Sequence, residues 1–270
     1  MKILLPFDFS DNSENALAYV LKMSKTYDTE LHILNVMKPF ENVDNNVYNA
    51  LYFTDYAENK KELLDKSTNK YLNRYPSIKE KTKRKVVSGF IVSEILAYSL
   101  KENIDLIVIG SSGIKPSEDF FLGSTTATLA SKTQIPLLLI PPTVHAPKYK
   151  NVSFASDLKP EMNPQSLTLL TKFLAPLKSK IHLLHVEKKP DTKNENWEKI
   201  EKIFVNHKTE RHSLYFSDVT EGISWFLKTM NVDLLIAVRQ KHFLLHKLLF
   251  TRQTKQIIRS LKSPVLLLTD

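Results

Sequence analysis

Short runs of branched apolar residues recur along the chain, separated by stretches with apolar residues at three- and four-residue steps. Residues 105–109 (Asp-Leu-Ile-Val-Ile) form one such run, which is typical of a buried strand. The apolar stripe of the first predicted helix consists of Ala16, Leu17, Val20, Leu21 and Met23. Apolar strands that alternate with helices indicate a parallel sheet covered on both faces. The pattern therefore predicts an α/β fold.

The second half of the chain repeats the first. The matching segments are 3–8 and 152–157, 31–36 and 181–186, 105–109 and 233–237, and 135–140 and 263–268. Each half reads as five strands with a helix between each pair, and right-handed crossovers join parallel strands. We predict two tandem doubly wound parallel five-stranded sheets with helices on both faces, which bind ligands at the carboxyl ends of their strands.

A polar stretch with three prolines, residues 141–148, separates the halves. We predict a domain over residues 1–142, a linker over 143–149 and a second domain over 150–270. The halves differ most in the middle, where residues 42–75 of the first half carry an aromatic cluster. Its members are Tyr48, Tyr52, Phe53 and Tyr56. Such a cluster is typical of a helix face packed on the sheet, which we favour, or of a lid over a ligand or partner surface.

Charge also separates the halves. Residues 1–145 hold 17 basic and 17 acidic side chains, and residues 146–270 hold 21 and 12, so the whole net charge of +9 lies in the second half. A basic half suits nucleic acid or a membrane surface. A solvated basic face that keeps the protein in solution also explains the excess charge. We favour that interpretation, so nucleic acid is not an expected partner.

Several classes of protein are excluded. The chain has no cysteine, which rules out disulfides, thiol catalysis and thiolate metal sites. Pro6 and Asp8 come too early for a signal peptide, and no apolar run approaches the roughly 18 residues of a membrane span. We expect a cytoplasmic protein without membrane insertion. His182 and His185 lie on a strand and point to opposite faces, which is typical of buried or edge histidines. His242 and His246, four residues apart, have no third ligand nearby in the sequence, so we predict no metal site.

The stretch that best indicates chemistry follows residues 105–109. It reads Gly110-Ser-Ser-Gly113, then nine residues, then Gly123-Ser124-Thr125, and it holds three of the five glycines in the chain. Glycine at the end of a strand lets backbone N–H groups approach a phosphate closely. A Gly-Ser-Thr that opens a helix adds unpaired amides, hydroxyls and the positive end of the helix dipole. The pattern favours a nucleotide's phosphate tail.

The first half of the chain resembles an ATP-binding domain of the universal stress protein family. That family carries Gly-x2-Gly-x9-Gly-[Ser/Thr] after its fourth strand, and Gly110, Gly113, Gly123 and Ser124 satisfy every fixed position. The resemblance covers nearly the whole chain as two tandem domains. It implies pairing through the last strand of each domain, so we predict that residues 137–140 and 265–268 pair antiparallel within one chain, with a further homodimer left open.

The resemblance also implies site residues. The adenine and ribose side is lined by Pro6, Asp8 and Val36, the ribose and phosphates lie over Ile109 and Gly110, and the phosphate cradle consists of Gly113, Gly123, Ser124 and Thr125. The alternative for Asp8 is that it caps the following helix. The alternative for residues 110–113 is an ordinary turn from a strand to a helix.

The second half departs from this pattern. Its matching positions are Val238, Lys241, Thr251 and Arg252. Side chains at Val238 and Lys241 would fill the space of a phosphate and forbid a positive φ, so we predict that the second domain does not bind ATP in this way.

We predict a tandem universal stress protein that binds ATP, ADP or AMP, with or without Mg²⁺, in its first domain and acts as a stress-response sensor or regulator. No Walker lysine, nucleophile elbow or metal triad is present in the sequence, so any ATP hydrolysis would be slow and no catalytic residue is expected. The alternatives are a non-nucleotide binding module that acts through the basic half, or an adenine-nucleotide enzyme on the same scaffold. The enzyme would need a glycine-rich pyrophosphate loop, which residues 9–13 lack.

Overall fold

The fold was analysed in a computed structural model, which describes residues 1–38, 47–111, 124–158, 162–188, 196–239 and 263–269. The strands of the first half are β1 (Lys2–Pro6), β2 (Glu30–Met37), β3 (Thr82–Ser88), β4 (Leu106–Gly110) and β5 (Leu137–Ile140). Its helices are α1 (Asp11–Met23), α2 (Val47–Leu72), α3 (Pro76–Lys79), α4 (Ile91–Lys101) and α5 (Ser124–Lys132). The helices therefore alternate with the strands as the pattern predicts.

The second half follows the same order. Its strands are β6 (Asn151–Ala155), β7 (Lys180–Glu187), β8 (Lys208–Tyr215), β9 (Leu234–Arg239) and β10 (Val265–Thr269). Its helices are α6 (Pro164–Leu174), α7 (Trp197–Glu201) and α8 (Val219–Thr229), and a short 3-10 helix follows α7 at Lys202–Phe204. The helix predicted between β9 and β10 falls outside the described residues.

All ten strands form one sheet in the order β3-β2-β1-β4-β5-β10-β9-β6-β7-β8. Each half contributes five parallel strands, and the halves join where β5 and β10 pair antiparallel, with Leu138 opposite Leu266. The predicted antiparallel pairing is therefore confirmed. The two predicted five-stranded sheets are the two halves of this one continuous sheet.

Apolar side chains cover both faces of the sheet. Ile3 and Leu5 belong to the core on one face and Leu4 to the core on the other, as expected for successive residues of a strand. The predicted stripe of α1 is buried throughout. Full burial of such a side chain contributes about 1.5–3 kcal/mol, so both layers of helices stabilise the sheet.

Backbone conformations repeat between the halves as well. Phe9 after β1 has a φ of 67° and Leu158 after β6 a φ of 63°, while Asn103 after α4 and Asn231 after α8 have φ values of 53° and 48°. A left-handed conformation is rare for a bulky residue such as phenylalanine or leucine. The same uncommon backbone at two equivalent turns supports the repeat found in the sequence.

An aromatic cluster connects the halves beside the predicted linker. The Tyr27 hydroxyl donates to the Phe173 carbonyl at 2.7 Å, and the two rings stack at 5.2 Å. Tyr149 lies 5.3 Å from the same Phe173 ring, and its hydroxyl is 3.1 Å from that of Tyr19. Residues 141–150 contain no helix or strand, in keeping with a linker. The domain limits 1–142 and 150–270 remain a prediction.

Helix α2 packs on β3 through its second half, and the choice between a packed face and a lid for its aromatic residues stays a prediction. Leu64, Thr68 and Leu72 of α2 are fully buried, and the Arg84 guanidinium of β3 donates to the Thr68 hydroxyl at 2.9 Å. The side chains of Tyr48, Tyr52 and Phe53 lie outside what the structure describes. None of the helices in the described ranges is both long enough and apolar enough to cross a bilayer.

Candidate functional site

A cavity of about 310 Å³ lies at the carboxyl ends of β1, β2 and β4, at the point where the strand order reverses. Seven of the nine predicted site residues line it. Pro6 and Asp8 come from β1 and the turn after it, Val36 from β2, Ile109 and Gly110 from the end of β4, and Ser124 and Thr125 from the start of α5. The other two predicted residues, Gly113 and Gly123, lie outside the described residues.

At Gly110, one of the cavity-lining residues, the end of β4 lies directly against the first turn of α1. A Cβ atom on Gly110 would lie 2.3 Å from the carbonyl oxygen of Asn12 in the first turn of α1. None of the described glycines has a positive φ, so the positive-φ requirement expected for this motif does not apply to Gly110. Glycine is needed here because α1 packs against the end of β4 at backbone distance.

The hydrogen bonds at the start of α1 correct the alternative in which Asp8 caps this helix. Ser10 is the N-cap, because its Oγ accepts the N–H of Ser13 at 3.3 Å. The Asp8 Oδ1 accepts the Ser10 N–H at 3.1 Å and the Ser10 hydroxyl at 2.6 Å. Asp8 therefore holds the capping serine in place, while its own side chain is exposed beside the cavity.

Asn35 also lines this cavity, although it is not among the predicted site residues. Its Nδ2 donates to the Phe7 carbonyl at 2.7 Å and joins the ends of β1 and β2 beneath the opening. An asparagine within the apolar run of residues 31–37 was the available signal, because a buried amide requires a partner. The sequence does not show that this partner is a carbonyl of the neighbouring strand.

The charge of the cavity is low. Of its described lining residues, only Asp8 carries a formal charge. Positive potential at the other end comes from the first amides of α5, a helix of nine residues that begins at Ser124. The Ser111 N–H does not add to it, since that amide and the Ser111 hydroxyl both donate to the Ile140 carbonyl.

The second half is built differently at the matching place. Val238 stands where the first half has Gly110, and its side chain is 95% buried within the core. His185 takes the position of Asn35 and, through Nδ1, donates to the Ser156 carbonyl at 2.9 Å. Lys241, Thr251 and Arg252 lie outside the described residues. The strand-end hydrogen bond is thus kept with a different side chain.

Comparison with known sequences gives a consistent result. The model of the universal stress protein family matches residues 1–141, just over half of the chain. The universal stress protein MJ0577 of Methanocaldococcus jannaschii is 28% identical over 151 residues, which cover 52% of this chain and 93% of that protein. The universal stress protein YxiE of Bacillus subtilis is 26% identical over 146 residues, with 52% and 97% covered.

Comparison with solved structures extends the likeness to both halves. A universal stress protein from Archaeoglobus fulgidus has a TM-score of 0.70 at 17% identity and covers 99% of this chain and 96% of its own. A putative universal stress protein from Pseudomonas aeruginosa has a TM-score of 0.56 at 12% identity, with 99% and 92% covered. At these identities the structures show a shared fold. On the family model and the fold together, the chain belongs to the universal stress protein family.

Proposed function

We propose that the first-half cavity binds ATP or a related adenine nucleotide, and that the protein acts as a nucleotide-dependent sensor or regulator in a stress response. The observation that carries the proposal is the convergence of seven predicted residues, from residue 6 to residue 125, on one cavity. The cavity lies at the switch point between β1 and β4, where doubly wound sheets bind ligands.

The phosphates would lie against the start of α5. Its first N–H groups have no partner within the helix and favour an anion, and Ser124 and Thr125 add hydroxyl donors. The lining at this end has no cationic side chain among the described residues. Backbone amides and the helix dipole would therefore supply the recognition of charge, as the glycine-rich motif predicts.

The adenosine would lie over the ends of β1 and β2. Pro6 and Val36 offer apolar contact to the base. The exposed Asp8 carboxylate can accept hydrogen bonds from ribose hydroxyls or from the adenine amino group. In this arrangement Asp8 would lie on the adenosine side, where its negative charge would be separated from those of the phosphates.

We propose binding rather than turnover as the activity. The described lining residues include no lysine, arginine or histidine that could neutralise charge developing on a transferred phosphoryl group. Asp8, the one carboxylate, is engaged with Ser10. Any hydrolysis of ATP would be slow, and Mg²⁺ would be carried by the phosphates rather than by a dedicated set of side chains.

The test is a calorimetric titration of the full chain with ATP, comparing Asp8→Asn with Asp157→Asn. Asp157 stands at the matching position in the second half, so the pair is a matched control. We expect Asp8→Asn to weaken binding roughly 10- to 100-fold, the loss of one hydrogen bond to a charged group. Asp157→Asn should leave the affinity unchanged.

A second variant examines the phosphate end. Gly113→Val should abolish ATP binding, because a branched side chain would keep the phosphate from approaching the backbone amides. Circular dichroism checks that each variant folds. Wild-type protein that fails to bind ATP, ADP or AMP at millimolar concentration would refute the proposal, as would equal effects of the two aspartate variants.

A further inference from the structure

Three chemistry-bearing side chains meet on one face of the second half. His182 on β7 pairs in register with Glu210 on β8, and His212 follows two residues later on the same face of β8. The His182 Nδ1 lies 3.0 Å from the His212 Nε2. Carboxylate oxygens of Glu210 lie 3.8 Å from each of these two nitrogens. One ligand atom from each residue thus faces a common point.

In the first half, the histidine at the position that matches His182 has hydrogen-bond partners for both ring nitrogens. His32 is the counterpart of His182, and both of its ring nitrogens have partners: the Tyr98 hydroxyl at 3.0 Å and a Glu30 carboxylate oxygen at 2.9 Å. Hydrogen bonds from Lys83 and His32 lower the pKa of Glu30 to about 2. His32 is a structural histidine with a complete set of partners.

Each of those partners is replaced in the second half. Phe226 stands in the place of Tyr98, and Lys180 in the place of Glu30, so His182 has lost both a hydroxyl and an adjacent carboxylate. His212 has replaced a lysine, Lys85, on the neighbouring strand. The exchange removes the partners of a core histidine and adds an imidazole that faces it.

We propose that His182, Glu210 and His212 bind a divalent transition-metal ion of the zinc class. Two imidazole nitrogens and one carboxylate oxygen are a known zinc ligand set, with a fourth position left for water. Two nitrogens each at 2.0–2.1 Å from a tetrahedral zinc ion are about 3.3 Å apart. The separation of 3.0 Å in the protein is close to that, and the Glu210 side chain, which is 43% exposed, would have to shift toward the two nitrogens.

The surroundings favour this ligand set. The Phe226 ring lies 5.9 Å from the His182 ring and 4.7 Å from the His212 ring, so both imidazoles have an apolar ring as a neighbour. Lys180 contacts Glu210 through Oε2, which leaves Oε1 for the metal and supplies the outer hydrogen bond that ligating carboxylates usually have.

The experiment titrates the EDTA-stripped full-length protein with Zn²⁺ against a chromogenic zinc indicator. We expect the wild type to bind one equivalent more than the double variant Glu210→Gln/His212→Lys, in which position 212 regains the first-half residue type. Affinity at this site should fall by more than about 100-fold, because even the loss of an outer-shell partner costs roughly 10- to 100-fold. Replacement by Co²⁺ should give the visible absorption of a tetrahedral ion.

His145→Asn serves as the control, since His145 is exposed in the first half and lies outside the cluster. It should keep the extra equivalent. The positions changed in the double variant are partly exposed strand positions, so folding, checked by circular dichroism, should persist. Equal Zn²⁺ stoichiometry and affinity in the wild type and the double variant would overturn the proposal. It concerns the second half only and does not depend on nucleotide binding.

Discussion

The ends of the central strands differ between the two halves of the sheet. In the first half, Gly110 lets the backbone of Asn12 come so close that a Cβ atom would lie 2.3 Å from its carbonyl oxygen. In the second half, Val238 fills the equivalent position and is buried. Helix α6 also begins farther along the chain from its strand than α1 does. In the first half, the absence of a side chain at Gly110 is what lets α1 approach the end of β4 so closely.

The framework, in contrast, is the same in both halves. Strand order, parallel pairing and the left-handed turns at Phe9 and Leu158 all repeat. The halves differ in the segment between their second and third strands, where α2 and α3 stand against the much shorter α7, and also at the strand ends and the His32 and His182 positions. A repeated domain can thus keep its sheet while the side chains at these positions change, and the following predictions test this difference.

The largest effect is expected at the join between the halves. Leu138→Asp and Leu266→Asp each place a carboxylate at a fully buried position where β5 and β10 pair. Each should cost about 4 kcal/mol of the free energy of unfolding, because a buried charge has no partner there. Urea unfolding measures the loss, and small-angle scattering should show a larger radius as the halves separate.

Leu100→Asp is the matched control, since the Leu100 side chain is 71% exposed and the change should be nearly neutral. Scattering and stability that stay unchanged in Leu138→Asp would contradict the pairing as the contact that holds the halves together.

An exchange of strand-end residues should give an intermediate effect. Gly110→Val introduces the second-half residue against the Asn12 backbone, and overpacking of this kind costs typically 1–3 kcal/mol. It should also abolish the proposed ATP binding. Val238→Gly should cost a similar amount because a buried side chain is lost, and it should create no ATP binding.

Thermal unfolding and ATP titration of both variants provide the measurement. Gly110→Val with wild-type stability would show that α1 does not need the close approach. ATP binding gained by Val238→Gly would show that one side chain alone separates the two halves in function.

The smallest effects should be equal in the two halves. Asn103→Ala and Asn231→Ala put alanine at φ values of 53° and 48°, where asparagine is tolerated better. Each should lower the free energy of unfolding by about 1 kcal/mol, measured by urea titration. Clearly unequal losses would contradict the view that these turns are equivalent parts of one repeated framework.

Much of the fold could be predicted from the sequence because its apolar pattern is regular. Continuous apolar runs such as residues 105–109 identify buried strands, and the repeat doubles the evidence for each element. Seven of the predicted site residues line one cavity, since the residues that follow parallel strands meet at one edge of a sheet, and their role in binding stays a prediction. The role of Asn35 was missed because its partner Phe7 lies 28 positions away in the sequence. The capping role of Ser10 rests on local hydrogen bonds to Asp8 and Ser13, which the sequence could have indicated.

The sequence by itself determined the alternation of strands and helices, the two-part repeat and the glycine-rich motif, since each is a pattern of neighbours along the chain. Only the tertiary structure decided that Gly110 is needed for contact with Asn12, and that His182 faces Glu210 and His212. These residues are far apart in sequence, and strand register together with helix packing brings them within a few ångströms. Register and packing arise from the whole core at once, so no local pattern specifies them.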